Sequence, residues 1–260
     1  MDSIRNQRFQ RTSSLGASSH ENTTHSETDS ESEEQSNPYL FESVLVAVAD
    51  EMEFEEEQAE GERHEQELLE KHPLWENEEA QLLLESIHEQ LEPFLQREEP
   101  DYLLLPLDCE TPFASSCPNG TIFFTRALLQ ALSPKEVLFF AAHELAHTEL
   151  RHYASRSRRL SELRQLIPAA PGSTARQRLD FAAVLCVRHQ EEFEADLQAC
   201  LWVGKELGSK ALETLHQLCQ KTSPTSLQRP THPHFEKRVL RIEQNSPFVD
   251  PLKYLYSLLD

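Results

Sequence analysis

The chain has 260 residues, 45 acidic and 24 basic, for a formal net charge of −21. The first hundred residues carry 27 acidic side chains against 6 basic ones, and the remaining 160 carry 18 of each, so the acidity belongs to an N-terminal segment attached to a neutral remainder. A nucleic-acid binder is disfavoured, because there is no basic patch and the phosphate contribution would be repulsive. The longest apolar run, Phe181–Val187, has seven residues, far short of the roughly 18 that a bilayer-spanning helix needs.

Residues 1–37 are Ser, Thr, Asn, Gln, Glu and Arg with almost nothing to bury, and read as a disordered tail. No apolar segment of the secretory kind follows Met1, and acidic residues from Glu21 onward argue against a mitochondrial presequence. Five cysteines (Cys109, Cys117, Cys186, Cys200 and Cys219) lack Cys-x-x-Cys spacing, which suits reduced thiols and a cytoplasmic location. Residues 38–100 form an acidic helical segment. Tyr39–Glu60 begins apolar and becomes acidic through Glu51–Glu57, the pattern of a helix with a solvated second half; a docking face for a basic partner protein, or an inhibitory cover formed by Asp50–Glu70, are the alternatives. Trp75–Gln96 is expected to be a helix, with Leu84, Ile87, Leu91 and Phe94 on one stripe.

Residues 101–260 are read as the globular domain. Tyr102–Leu107 contains Pro106 and is expected at a sheet edge. Pro112–Cys117 and Thr121–Thr125, joined by Pro118-Asn119-Gly120, form a β-hairpin. Ala127–Leu132 gives one or two helical turns. Ser133-Pro134-x-Glu136 then starts a helix, with Ser at the cap, Pro at the first position and Glu at the third. That helix is expected over Pro134–Tyr153, and Arg156–Arg178, with its two prolines and a glycine, is expected to be a loop bordering the cleft.

Inside this helix lies His143-Glu144-Leu145-Ala146-His147. A spacing of four brings both imidazoles to one face, about 40° apart around the axis. Glu144 sits just off that face, where it cannot easily ligate but can touch a water held by the ion. Neutral imidazoles, an open coordination position and a carboxylate base are what a zinc hydrolase needs. A third ligand is still required. The metzincin pattern would need Gly at 150 and His at 153, where this chain has Leu150 and Tyr153. The alternative is a carboxylate from the long apolar-periodic segment Phe181–Leu207, where Glu192 and Asp196 share a face; one can ligate and the other can hydrogen-bond a ligand. Glu191 and Glu194 are expected to face solvent, and Cys109, Cys117 and His152 are read as structural.

His143-Glu-Leu-Ala-His147 followed by Glu192-Phe-Glu-Ala-Asp196 resembles the zinc metallopeptidase family of the CAAX prenyl endopeptidases, the heat-shock protease HtpX and the mitochondrial inner-membrane protease Oma. Thr111-Pro-Phe-Ala…Asn119-Gly-Thr-Ile-Phe-Phe-Thr-Arg-Ala-Leu-Leu resembles the family's strand–turn–strand, and Thr231-His232-Pro233…Arg238 its downstream Thr-His-Pro…Arg segment. The resemblance spans roughly residues 102–243. It implies an α+β fold: a mainly helical, zincin-like metallopeptidase domain with a small antiparallel β-sheet beside the motif helix. It also implies one Zn2+ per chain on His143, His147 and Glu192, with Glu144 as general base. Asp196 would orient a ligand imidazole, and His232, with Arg238, would lie near the oxyanion; His234 and His189 are the alternatives for that place. An extended polypeptide substrate would add to the strand containing Phe113, Ala114 and Ser115. Two features depart from the family: there are no spanning helices, and Thr111-Pro112 stands where an Asn-Ala pair is usual.

The expected function is therefore zinc-dependent endopeptidase, hydrolysing peptide bonds with metal-activated water and Glu144 as base. The competing expectation is a catalytically silent, metal-bearing module that binds or regulates through its acidic N-terminal segment.

Overall fold

The computed structural model describes residues 54–167, 173–222, 232–247 and 250–259. The expected tail over residues 1–37, and residues 39–53 of the expected first helix, lie outside these. Among the described residues the chain is mainly helical, with one small sheet.

The first helix, α1 (Phe54–Lys71), is acidic along most of its surface, yet it is not simply solvated. Its residues 57, 61 and 65 recur every four positions and dock on the domain. Glu57 is buried against Arg97 and Arg151, at 3.1 and 3.2 Å. Glu65 accepts hydrogen bonds from Asn119 Nδ2 and Thr121 Oγ1. Between them Gly61 meets the hairpin turn so closely that a Cβ there would lie 2.2 Å from the backbone nitrogen of Asn119. Only glycine permits that approach.

Helix α2 (Glu78–Leu91) is capped by Asn77, whose side chain accepts from Ala80 N–H, and it buries Leu84, Ile87 and Leu91. It starts three residues later than expected and passes into a 3-10 turn (Glu92–Phe94). The reason lies upstream: Trp75 N–H donates to Pro106 O and Asp108 N–H to Pro73 O, so residues 73–75 run extended along the next strand.

The sheet has three strands, β1 (Leu103–Leu107), β2 (Ala114–Ser116) and β3 (Thr121–Thr125), in the order β1-β3-β2. β2 and β3 form the expected antiparallel hairpin, with the positive φ of its turn at Gly120. β1 occupies an edge as expected but pairs parallel to β3, so the sheet is mixed rather than antiparallel. Short α3 (Arg126–Ala131) follows.

Helix α4 (Pro134–Glu149) carries the His-Glu-x-x-His motif. It opens with a capping box: Glu136 Oε2 accepts from Ser133 N–H and from the Ser133 hydroxyl. The expected continuation to Tyr153 does not occur. Arg151 adopts a left-handed conformation (φ 51°), the helix stops, and α5 (His152–Leu166) sets off in a new direction. Most of the expected Arg156–Arg178 loop is thus helical. Helix α6 (Ser173–Val203) begins earlier than its apolar periodicity suggests and ends at Gly204, whose φ is +98°. Helices α7 (Lys205–Thr222), α8 (Phe235–Gln244) and α9 (Pro251–Ser257) complete the chain.

Two apolar clusters organise the packing. The larger joins the α2 stripe, the sheet (Ile122, Phe124), the back of α4 (Val137, Phe139, Phe140, Leu145) and residues of α6 to α8. The smaller joins α5, α6 and α9 around Phe193 and Leu255. α4 and α6 are pressed together between them, and this crossing builds the site.

The start of α4 makes a pH prediction. Burial pushes the Glu136 carboxyl up, but hydrogen bonds from Ser133 and Thr214 outweigh this and hold it below the ordinary carboxylate range. A group depressed in the folded state contributes stability above its unfolded pKa and loses it as pH falls through the folded value. Glu136→Gln, which removes the charge at the helix start, should therefore cost about 0.3–1 kcal/mol at neutral pH, and the difference from wild type should shrink below about pH 4.5 in urea titrations at stepped pH. A difference independent of pH would contradict the capping role.

Candidate metal centre

The aliphatic and aromatic residues of α4 fix its rotation. With Val137, Phe139, Phe140, Ala141, Ala142 and Leu145 buried, the face bearing residues 143 and 147 has only α6 and a cleft of about 1400 Å³ to look into. The cleft is lined by β2 residues, by His64 and Leu68 of α1 and His72 just after it, and by His143, Glu144, His147, Glu192 and His232.

His143 Nε2 and His147 Nε2 lie 3.1 Å apart with their rings at 81°. Glu192 arrives from α6, with Oε2 3.5 Å from His143 Nε2 and Oε1 3.6 Å from His147 Nε2. One ligand atom from each of the three residues falls within 4.8 Å of the others, a set able to hold a metal ion. The donor chemistry fits zinc: two imidazole nitrogens and one carboxylate oxygen, with room on the cleft side. Glu192 Oε2 is buried and makes no hydrogen bond among the described residues, the condition of an oxygen that a cation would satisfy.

The surrounding charges favour positive charge at this point. Burial pushes His143 down, but Asp196 and Glu192 outweigh it and bring its pKa up to about 9. Burial and the neighbouring His143 hold His147 well below its ordinary value, so this imidazole stays neutral as a ligand must. Burial pushes Glu192 up, but His232, His143 and Arg238 outweigh it and keep the carboxylate ionised. Asp196, fully buried, stands 3.1 Å from His143 Nδ1 through its Oδ1. The Arg238 guanidinium grips Asp196 from behind with two donors at 2.7 and 2.6 Å and reaches to 3.4 Å of Glu192 Oε2. Burial pushes Asp196 up too, and this fork keeps it ionised. Arg238 thus backs the two carboxylates and also lines the cleft.

Glu144 points along the cleft. Its Oε2 accepts a 2.8 Å hydrogen bond from Ser116 N–H on β2. Burial and nearby Glu192 raise its pKa above the ordinary carboxylate value, the direction that makes a carboxylate a better base. His232 is about half exposed, with Nε2 3.5 Å from Glu192 Oε1. His234 also lines the cleft. His189 is buried, with Nδ1 2.9 Å from the Tyr254 hydroxyl. Phe113, Ala114 and Ser115 lie along the cleft wall. Burial, with help from Glu65 and Glu144, pushes the Cys117 thiol up to about 12, which suits a structural thiol.

Two expectations about α6 are overturned. Glu191 does not face solvent: it is buried and accepts a forked pair of hydrogen bonds from Arg156. Glu194 also turns inward, onto His152 Nε2 at 3.0 Å and Arg159 Nη1 at 2.7 Å. The cause is α5, most of which the expected Arg156–Arg178 loop would leave irregular; folded back on α6, it covers this face with its cations. His152, read as structural, has Nδ1 2.8 Å from Nδ1 of His147. In a continuous helix, residue 152 would lie about 140° around from residue 147. The left-handed Arg151 brings it back, and no local sequence signal announces that.

A helical domain with a small sheet, a His-Glu-x-x-His helix and a facing carboxylate defines a metallopeptidase-type centre. The family model of Peptidase family M48 matches residues 84–246, more than half of the chain, and the chain belongs to that family of zinc metallopeptidases. The match begins within α2 and ends just after α8, leaving α1 and α9 outside it. No curated protein gives a significant sequence match. Among the described residues no helix is long and apolar enough to cross a membrane.

Elemental analysis tests the third ligand. Close to one zinc per chain is expected in the wild type, and a sharp loss in Glu192→Ala, with the fold checked by circular dichroism. Full retention of zinc in the variant would remove Glu192 from the ligand set.

Proposed function

We propose that this chain is a zinc endopeptidase that cleaves extended polypeptides, with His143, His147 and Glu192 holding one Zn2+ and Glu144 acting as general base. The observation that carries the reading is the position of Glu144: beside the three-residue ligand cluster, its carboxylate is tied to the edge strand along which a substrate would run. When bound, zinc supplies an acidified water and polarises the scissile carbonyl.

The chain's own residues do the rest. Glu144 takes the proton from the attacking water at its carboxylate and delivers it to the leaving amine. Ser116 N–H holds one carboxylate oxygen in place, so the base moves with the strand that positions the substrate. His232, on the open side of Glu192, is placed to donate to the developing oxyanion. Asp196 and Arg238 keep His143 oriented and the buried negative charge compensated.

β2 is an edge strand. Cys117 N–H donates to Thr121 O, and Phe113 O accepts from Thr125 N–H. By the alternation of an antiparallel ladder, odd-numbered residues of this stretch face β3 and even-numbered ones face the free edge. Ser116 N–H already turns that way, toward Glu144. Ala114 N–H and C=O are then the groups offered to an incoming strand. His64 and Leu68 of α1 also line the cleft, and His72, just after the helix, packs its ring on Phe113. That placement, with Glu57 buried against Arg97 and Arg151, supports α1 as a fixed wall of the cleft.

Glu144→Gln should leave zinc stoichiometry unchanged and lower cleavage of an unfolded protein such as casein by at least about a hundredfold. Activity persisting in the pure variant would refute the assignment of the base. Ala114→Pro removes one outward N–H without touching the β2–β3 ladder, and should raise KM for peptide cleavage several-fold while kcat changes less. An unchanged KM would place the substrate elsewhere.

A further inference from the structure

We infer that His152 and Glu194 form a positioning dyad for His147, fixing the tautomer and ring plane that turn its Nε2 lone pair toward His143 and Glu192. The inference deepens the zinc-site reading and rests on it.

The geometry allows few proton arrangements. Two imidazole nitrogens 2.8 Å apart, His147 Nδ1 and His152 Nδ1, must share one proton. The far nitrogen of His152, Nε2, lies 3.0 Å from Glu194 Oε2. Glu194 is fixed in turn by Arg159 Nη1 at 2.7 Å on the same oxygen and by Gln190 Nε2 at 2.9 Å on the other. A carboxylate in that setting only accepts, so His152 Nε2 carries its hydrogen. A neutral His152 then has its lone pair on Nδ1, and the shared proton sits on His147 Nδ1. His147 Nε2 is left as a bare lone pair, 3.1 Å from His143 Nε2. The opposite arrangement would put a hydrogen on His147 Nε2, inside the ligand cluster, where no metal could be accepted.

The two imidazoles are thus oriented by different devices from one helix. Asp196 of α6 stands 3.1 Å from His143 Nδ1, at ion-pair distance. Glu194, also on α6, serves His147, which lies one turn further along α4, through the ring of His152. That ring is almost completely buried (1% exposed), so its orientation is not left to solvent. The Arg151 break, itself tied to Glu57, places it there.

Partners that orient a metal-binding imidazole are typically worth 10–100-fold in metal affinity. The test compares full-length wild type, His152→Ala, His152→Asn and Glu194→Gln. Zinc affinity is measured by competition with chelators of graded strength, and cobalt(II) absorption bands report ligand geometry. His152→Ala should weaken zinc 10–100-fold and shift the cobalt bands. His152→Asn, whose Oδ1 can accept where Nδ1 stood, should restore most of both, and Glu194→Gln should fall between.

Zinc affinity in His152→Ala and Glu194→Gln within threefold of wild type would overturn the dyad. So would equal weakening by Ala and Asn, which marks a role in packing alone. The zinc-free wild type gives a separate readout: long-range nitrogen–proton NMR should show the hydrogen on Nδ1 of His147 and on Nε2 of His152. The reverse assignment overturns the dyad even if zinc binds. If that spectrum is as expected but the wild type takes no zinc, the metal reading fails while the proton arrangement stands.

Discussion

The structure turns on the burial of acidic side chains along α6. Glu191, Glu192, Glu194 and Asp196 all face inward within six residues. Moving an isolated carboxylate out of water costs several kcal/mol, and the cost is offset only when cations and donors meet it in good geometry. Each of these four is met: Glu191 by Arg156, Glu192 by His232 and Arg238, Glu194 by His152 and Arg159, Asp196 by Arg238. The partners come from α5, from the segment before α8, and from α8 itself. Charge compensation therefore dictates how those elements must lie around α6, and a shift of any of them would leave a buried carboxylate bare.

The same network defines what the centre can bind. Two imidazoles face Glu192 across a small space, with oriented partners behind each ring. The resulting field favours a cation, while the apolar back of α4, with Phe139 and Leu145 fully buried, holds the two histidines without freedom to turn away. Affinity and rigidity come from separate parts of the molecule. The cations behind α6 set the charge, and the hydrophobic cluster sets the positions.

The left-handed Arg151 links this centre to the N-terminal helix. Its guanidinium shares the buried Glu57 carboxylate with Arg97, and Arg97 also donates to Thr148 O at the end of α4. The contact secures α1 beside the cleft and stabilises the turn that delivers His152. α1 lies outside the residues matched by the family model and supplies part of the cleft lining. On the other side, Ser116 connects β2 to Glu144, so the strand that would hold a substrate and the base that would act on it share one hydrogen bond.

Much of this was legible along the chain. His143 and His147 are four apart on one helix with Glu144 between them, and helical periodicity alone places them together. The capping box at Ser133 and Glu136, the hairpin around Gly120 and the apolar stripe of α2 are likewise local, set by residues within a few positions of one another. Glu192 and Asp196 were found by their spacing and a family likeness, since nothing local says that α6 crosses α4. What tertiary structure alone decided is the rest: the parallel pairing of β1, the inward turn of Glu191 and Glu194, and the return of His152 to His147. A short motif fixes directions along one element because the backbone repeat is regular. The sign of a carboxylate's environment depends on which cations arrive from elsewhere, and a single left-handed residue, held by a glutamate 94 positions away, decides that here.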